Sequence, residues 1–501
     1  MKLRILALIM ALAALLSACG KPADPAATDG TNGTEPTKAP FVPEELGSWE
    51  AEDGVMLGGA YADGGFVTGF ENSGVDGCTV TVTVAEDGFY DLELMIKPLG
   101  GDKTNTVLLD GAAIGDVAAT GSKFQRLYIR RVYMSAGDHE VTLMAYWGYV
   151  NFDRVTLWTS EPFDESIFHV SAKLNNPNAT DNARRLMSYL CDTYGKAIIS
   201  GQYCDSGMNG WENLLIYQNS GKYPAILGLD MGYYSQTGVD HGVEISTTEQ
   251  AIAYWEKGGI VTLCWHWLAP EKYITGTWYS AFRPEEVRMN VGAMLSGEDE
   301  EGLALLMKDI DNIAQQLLKM QEAGVPVLWR PLHEASGGWF WWGKEGAETY
   351  KQLYILLHDT LTNEYGLNNL IWVWNGQDAD WYPGDEYVDI VGMDIYAGEH
   401  TYTSQMAAFL NTHSMAPTNK MVVLSENGTM MDPDLNVRDR AMWGFFCTWS
   451  GEFVMKDGVR KTYSEQYTEI EMLKKVYNSE HVITRDELPD LHSYPIREDA
   501  Q

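Results

Sequence analysis

The stretch VPVLWRPLHEASGGWFWWG, residues 325–343, changes character halfway along its length. Its first half is apolar and rich in β-formers, the length of a short buried strand, and it breaks off at His333-Glu334. A Ser336-Gly337-Gly338 turn follows, then the aromatic cluster Trp339, Phe340, Trp341 and Trp342. That cluster is too aromatic for an ordinary solvent loop, and the glycine turn excludes a continuous strand. The reading predicts an acid at the mouth of a strand beside the aromatic floor of a cleft.

One carboxyl group at a strand end needs a second to do acid/base chemistry on an acetal. KMVVLSENG, residues 420–428, supplies it at Glu426. Further strand-like runs lie at 197–203, 224–230, 259–267, 370–376, 388–396 and 442–449, which with 325–334 and 421–427 make eight. Amphipathic patterns alternate with them. In one, Leu303, Leu306, Met307, Ile310, Ile313, Ala314 and Leu317 recur at helical spacing, while Lys308, Asp309, Asp311, Gln315 and Lys319 are expected to face away. Residues 347–363 and 465–477 repeat the theme. Eight apolar strands alternating with helices over about 300 residues predict an α/β fold, a (β/α)8 TIM barrel whose site lies at the C-terminal ends of its strands. The strand endings Gln202, Asp230, His266-Trp267, His333-Glu334, Asn375, Asp394 with Tyr396, Glu426-Asn427 and Trp449 are polar or aromatic, as such a rim requires. Alternation along a strand puts Arg330 on the face of Glu334 and Asp394 on that of Tyr396. A plain ion pair between Glu334 and Arg330 would leave the aromatic loop unexplained.

Upstream, residues 49–158 read as all-β, with alternating runs at 79–84, 90–96, 105–109, 126–133, 140–145 and 152–157 separated by Asp-Gly and similar turns. This spacing predicts a β-sandwich of roughly 110 residues. The domain plan is therefore a leader over 1–19, a disordered tether over 20–45, the sandwich over 46–160, a polar linker over 161–180, the barrel over 181–482 and a tail over 483–501.

Composition limits the partners. With 35 Lys plus Arg against 70 Asp plus Glu the chain carries a formal charge of −35, so nucleic acid and anionic lipid are disfavoured and a neutral partner is favoured. The 17 Trp and 27 Tyr offer flat rings that stack on sugars, although cores take up many of them. Residues 1–20, MKLRILALIMALAALLSACG, form an export signal with Lys2 and Arg4 ahead of an apolar run. The ending Leu16-Ser17-Ala18-Cys19 resembles a bacterial lipobox, which implies lipidation of Cys19 and a cell-surface lipoprotein anchored to the membrane through that lipid alone; ordinary secretion is the alternative. Cysteines 78, 191, 204, 264 and 447 lack metal-type spacing and are expected to be free and buried. His266 and His333 have no compact ligand set beside them, so no metal is expected in catalysis.

Two family resemblances sharpen this reading. The opening Trp49-Glu50-Ala51-Glu52-Asp53, the turn Ser135-Ala136-Gly137-Asp138 and the closing Asn151-Phe152-Asp153-Arg154-Val155 resemble family 35 carbohydrate-binding modules. The resemblance implies a structural calcium on Glu50, Glu52 and Asp153 and a sugar site on loops, for which Tyr146, Trp147 and Asn151 are the candidates. A sandwich that merely spaces the barrel from the membrane is the alternative. The segments WRPLHEASGGWFWWG, GMDIY and LSENG resemble glycoside hydrolase family 26, best known for endo-β-1,4-mannanases. By position this implies Glu334 as acid/base, Glu426 as nucleophile, Tyr396 as hydrogen-bond donor to the nucleophile, and Arg330, His266, His333, Trp339, Asp394 and Trp449 around the scissile bond, with Trp278 extending the cleft. The expected activity is retaining endo-hydrolysis of mannan, galactomannan or glucomannan by a monomer. A β-1,3-xylanase or mixed-linkage β-glucanase of the same family, and a non-catalytic polysaccharide-capture lipoprotein, are the alternatives.

Overall fold

The computed structural model describes residues 41–205, 210–456 and 462–500. The leader, Cys19 and the tether as far as residue 40 lie outside the described residues.

Strands β1 (Glu45–Glu50), β2 (Val55–Leu57), β3 (Tyr61–Ala62), β4 (Val67–Thr68), β5 (Gly77–Val84), β6 (Gly88–Pro98), β7 (Lys103–Leu109), β8 (Ala112–Ala119), β9 (Gln125–Met134), β10 (Gly137–Ala145) and β11 (Val150–Thr159) build the sandwich. One sheet runs β3-β4-β11-β6-β9 with β1 also on β11, and the other β2-β5-β10-β7-β8. The alternating positions anticipated from sequence form the core between them: Val80, Val82 and Val84 of β5 bury against Leu92, Leu94 and Ile96 of β6. Both sheets are antiparallel along these pairs, as the short turns dictate.

The second layer system is a closed parallel barrel of β13 (Gly201–Tyr203), β14 (Ile226–Asp230), β15 (Ile260–Trp265), β16 (Val327–Pro331), β17 (Leu370–Trp374), β18 (Ile390–Ile395), β19 (Met421–Asn427) and β20 (Phe446–Thr448). Each overlaps one of the eight runs read from sequence. The first run is divided: β12 (Ile198–Ile199) pairs instead with β21 (Val482–Ile483), and the chain enters the barrel only at Gly201. Residues 161–180 are not free linker, since Ile167, Phe168, Val170, Ala172 and Leu174 join the barrel's buried core. The C-terminal residues also pack onto the barrel, through Leu491 in the core and Arg485 over the Tyr223 ring.

The sandwich and the barrel touch directly. Thr403 donates to Ala113 O at 3.0 Å, Arg438 lies 4.4 Å from the Tyr133 ring centre, and Ala407 packs against the sandwich core. A side chain at Gly115 would meet the Ala407 methyl at 3.1 Å, so this glycine permits the close approach.

The helix Glu300–Glu322 illustrates both the strength and the limit of periodicity. Asp299 caps it by accepting from Gly302 N at 2.9 Å, Glu300 and Glu301 complement its N-terminus, and Leu306, Ile310, Ile313, Ala314 and Leu317 are buried as expected. Asp309 departs from expectation. It is fully buried, accepts from Gln236 N at 2.6 Å and from Trp267 Nε1 at 2.8 Å, and burial pushes its carboxyl up to about 7. It therefore faces inward and ties the helix to the loop that leaves β15 carrying His266.

Candidate active site

Arg330 on β16 sits at the centre of the barrel mouth with no exposed surface. Its Nη1 donates to Asp394 Oδ2 at 2.7 Å, its Nη2 to Glu426 Oε2, and its Nε to Tyr203 Oη at 3.2 Å. Glu426, at the end of β19, receives a second donor from the Tyr396 hydroxyl at its other oxygen. The residue is thus oriented by donors at both oxygens. Asp394 is held from the far side by Asn375 Nδ2 at 2.8 Å and Ser425 Oγ at 2.7 Å.

Glu334 is placed differently. The strand ends at Pro331, and both Leu332 (φ 51°) and Glu334 (φ 53°) turn into the left-handed region, so simple alternation from Arg330 does not continue to Glu334. Such backbone persists only where neighbours fix it. Here Asn375 does so, accepting the Glu334 N–H at its backbone oxygen (2.7 Å) and its side-chain oxygen (3.1 Å), while Trp342 Nε1 donates to His333 O at 2.8 Å. One oxygen each from Glu334, Asp394 and Glu426 lies within 4.8 Å of the others. Burial and then the charge of Glu426 raise the Glu334 carboxyl above the usual glutamate range, against the opposing hydrogen bond from Trp339 Nε1 at 2.6 Å. Two glutamates in contact range therefore have different settings: one is an acceptor for Arg330 and Tyr396, the other is biased toward holding a proton.

The aromatic cluster divides in two. Trp339 is 49% exposed and forms the wall beside Glu334, whereas Phe340, Trp341 and Trp342 are buried supports. Trp341 Nε1 donates to Trp267 O at 2.7 Å, and Phe340 stacks on Trp342 at 4.5 Å. Gly337 lets the Trp339 ring lie over the turn, since a Cβ there would meet that ring at 2.1 Å and push it aside.

His266 and His333 meet edge to face at 4.7 Å. His333 is buried, its Nδ1 has no hydrogen-bond partner among the described residues, and burial followed by the charges of Arg330 and His266 holds its imidazole well below the usual histidine range, favouring the neutral form. Burial also opposes charge on His266, but Asp230, whose Oδ2 lies 3.0 Å from Nδ1, overcomes it and raises the imidazole. Trp449 completes this wall, 5.6 Å from His266 and 4.8 Å from Tyr203. Trp278 belongs to another aromatic group, stacked on His241 at 4.1 Å and near Tyr233 at 6.3 Å. Tyr203, Asn375 and Ser425 were missed as site residues. Asn375 was visible as a polar strand end, but Tyr203 and Ser425 carry no local signal.

On the sandwich, Tyr146 and Trp147 are exposed beside Tyr149, which the sequence reading omitted, and Lys103 Nζ lies about 6 Å from both the Trp147 and Tyr149 rings. Asn151 is buried within β11 and is not a loop residue. Of the acids assigned to calcium, Glu52 has a buried oxygen without a hydrogen-bond partner among the described residues, Glu50 is exposed, and Asp153 pairs with Arg154 at 3.1 Å. Among the described residues these three do not bring their oxygens within 4.8 Å of one another. Cys78, Cys191, Cys204, Cys264 and Cys447 are free and buried, as expected.

Comparison with known proteins agrees with this geometry. Residues 175–487 match the family model "Glycosyl hydrolase family 26" and residues 50–159 match "Carbohydrate binding module (family 35)". A mannan endo-1,4-β-mannosidase of Thermothelomyces thermophilus is 38% identical over 95% of this chain and 96% of its own length. Among solved structures, the Podospora anserina β-(1,4)-mannanase, which joins modules of the same two families, is similar with a TM-score of 0.63 at 36% identity, covering 90% of this chain and 99% of that one. A ruminal endo-β-1,4-mannanase of family 26 gives a TM-score of 0.64 at 29% identity over 91% and 99%. A catalytic-face barrel with this motif set, matched along nearly its whole length, places the chain in glycoside hydrolase family 26, with a family 35 carbohydrate-binding module ahead of the barrel.

Proposed function

We propose that the protein is a retaining endo-β-1,4-mannanase acting on mannan-type polysaccharide. The observation that carries the mechanism is the approach of Glu334 and Glu426 to within 4.8 Å in opposite electrostatic settings. A nearest-oxygen approach of that size suits the short separation of retaining glycosidases, about 5–5.5 Å between carboxyl groups, rather than the roughly 6.5–9.5 Å of inverting ones. The β-1,4-mannan specificity is supported by the relatives described above.

Glu426, aligned by Arg330 and Tyr396, attacks the anomeric carbon while Glu334 gives its proton to the leaving glycosidic oxygen; the C–O bond breaks and a glycosyl ester forms on Glu426. Glu334, now anionic, removes a proton from water, which attacks the same carbon and releases the sugar with its original anomeric configuration. His266, His333, Trp339, Asp394 and Trp449 shape the pocket around that carbon, and Trp278 extends the cleft.

On the sandwich, Tyr146, Trp147 and Tyr149 form the exposed aromatic face that would hold a glycan chain. Glu50, Glu52 and Asp153 do not form a calcium cage as they stand; of the three, Glu52 is the one whose buried oxygen, without a hydrogen-bond partner among the described residues, fits a hard cation. The resemblance of Leu16-Ser17-Ala18-Cys19 to a lipobox supports export and anchoring through a lipidated Cys19, with ordinary secretion as the alternative. The test is product analysis, with wild type and Glu426→Ala incubated with galactomannan, β-1,3-xylan and mixed-linkage β-glucan, and the newly formed anomer followed by NMR. Manno-oligosaccharides of retained configuration from wild type alone are expected. Release from xylan or glucan only would change the substrate, and binding without turnover on all three would replace the enzyme with a capture protein.

A further inference from the structure

Strands β14 and β15 end in a second constellation, which shares only His266 with the sugar pocket and whose Asp230 and Cys264 have no role in the hydrolytic mechanism. Asp230 and Cys264 face each other across the parallel ladder, and His266 follows on the same strand end. One donor atom from each of Asp230, Cys264 and His266 lies within 4.8 Å of the other two. Asp230 Oδ2 is 3.0 Å from His266 Nδ1, and Asp230 Oδ1 accepts the backbone N–H groups of His266 at 3.0 Å and Gly232 at 2.9 Å, so the carboxylate is already aligned. Cys264 has no exposed surface, but the side chains of Asp230 and His266 are 39% and 15% exposed, which opens the set to solutes from the cleft.

We propose that Asp230, Cys264 and His266 bind a thiophilic divalent cation of the Zn2+ or Cd2+ kind, and that its occupation switches hydrolysis off. A thiolate, an imidazole and a carboxylate are ligands zinc accepts, with water in the fourth tetrahedral position. With metal–ligand bonds of about 2.0–2.3 Å, tetrahedral donors stand roughly 3.3–3.8 Å apart, so the Asp230–His266 pair opens slightly and the thiol swings in. The sulfur–metal bond forms as the thiol proton leaves to solvent, and two anionic ligands then balance the dication. The other close donor group, Glu334, Asp394 and Glu426, offers only oxygens, and Arg330 already hydrogen-bonds two of its members, so a thiophilic cation finds its softer ligand and its free donors at Asp230, Cys264 and His266 instead. The inhibitory consequence rests on the mannanase reading, because it follows from immobilising His266 against the sugar pocket; the binding site itself does not.

The experiment titrates the chelator-treated full chain with Cd2+ and reads three signals: the ultraviolet thiolate-to-cadmium charge-transfer band, proton release, and hydrolysis of a soluble manno-oligosaccharide. Expected are one equivalent of Cd2+, release of the thiol proton together with any proton carried by His266, the band, and loss of hydrolysis in step with occupancy, restored by chelator. Cys264→Ala and Cys264→Ser lose the band, while Cys447→Ala, which removes the neighbouring buried thiol, retains it; circular dichroism verifies that each is folded. Absence of the band in wild type, or its persistence without Cys264, overturns the site. A band with undiminished hydrolysis overturns the switch. Wild type that never hydrolyses mannan would refute the functional reading while leaving the spectroscopic test intact.

Discussion

Replacing Arg330 by methionine tests the electrostatic design of the site in one step. The side chain is fully buried and holds Asp394 and Glu426 from the same planar head. Methionine fills similar volume but leaves two buried carboxyl groups facing each other without a cation. Removing one partner from a buried ion pair costs about 3–5 kcal/mol. For a cooperative unit of about 300 residues the unfolding entropy is about 0.6 kcal/mol/K, so the midpoint should fall by roughly 5–8 °C at neutral pH. The sign of the pH dependence follows from linkage. Burial and the charges of Glu426 and Glu334 already hold the Asp394 carboxyl above the usual range against Arg330; without the guanidinium both acids resist ionisation further, so the folded variant binds more protons than the unfolded chain and the added penalty appears as pH rises through the ordinary carboxylate range. Below that range both acids are protonated in either state, and only the packing change remains. Calorimetry of Arg330→Met and wild type at about pH 3 and pH 7.5 measures the difference. A midpoint loss of the same size at both pH values would refute the argument, because it would mean that Arg330 acts by packing alone.

Further outcomes follow from the same contacts. Tyr396→Phe removes one donor from Glu426; a hydrogen bond to a charged group contributes about 1.5–3 kcal/mol, so kcat should fall roughly 10- to 150-fold, with KM on a soluble oligosaccharide changing far less. Because burial and the Glu426 charge raise the Glu334 carboxyl, the alkaline limb of kcat/KM should lie above the ordinary glutamate range; Trp339→Phe, which removes a donor that favours the ionised form, should move that limb to still higher pH, and a downward movement would contradict the geometry. Trp147→Ala should weaken retention on insoluble mannan and leave hydrolysis of soluble oligomers unchanged, as measured by pull-down and product release in parallel.

What the sequence disclosed, and what it withheld, divides along a physical line. Strand positions were legible because burial on both faces forces apolar runs, and Glu334 and Glu426 were legible because an acid at the end of such a run has no packing rationale. The signals that failed are those decided by tertiary neighbours. Asp309 sits at a helical position that periodicity assigns to solvent, yet the Trp267 indole and the Gln236 amide satisfy both its oxygens, so the acid is buried at a raised carboxyl pKa. Trp341 and Trp342 look like cleft aromatics in one dimension, but their indole N–H groups find the carbonyls of Trp267 and His333 and draw the rings inward. These departures share a consequence. Asp309 pins the loop after β15 through Trp267, Trp341 donates to that same residue's carbonyl, and Trp342 holds the loop after β16 through His333. Asp309, expected to face solvent, and Trp341 and Trp342, expected to floor the cleft, are the braces that hold His266 and Glu334 in register, so the rim's placement depends on buried hydrogen bonds that a polar/apolar pattern cannot encode.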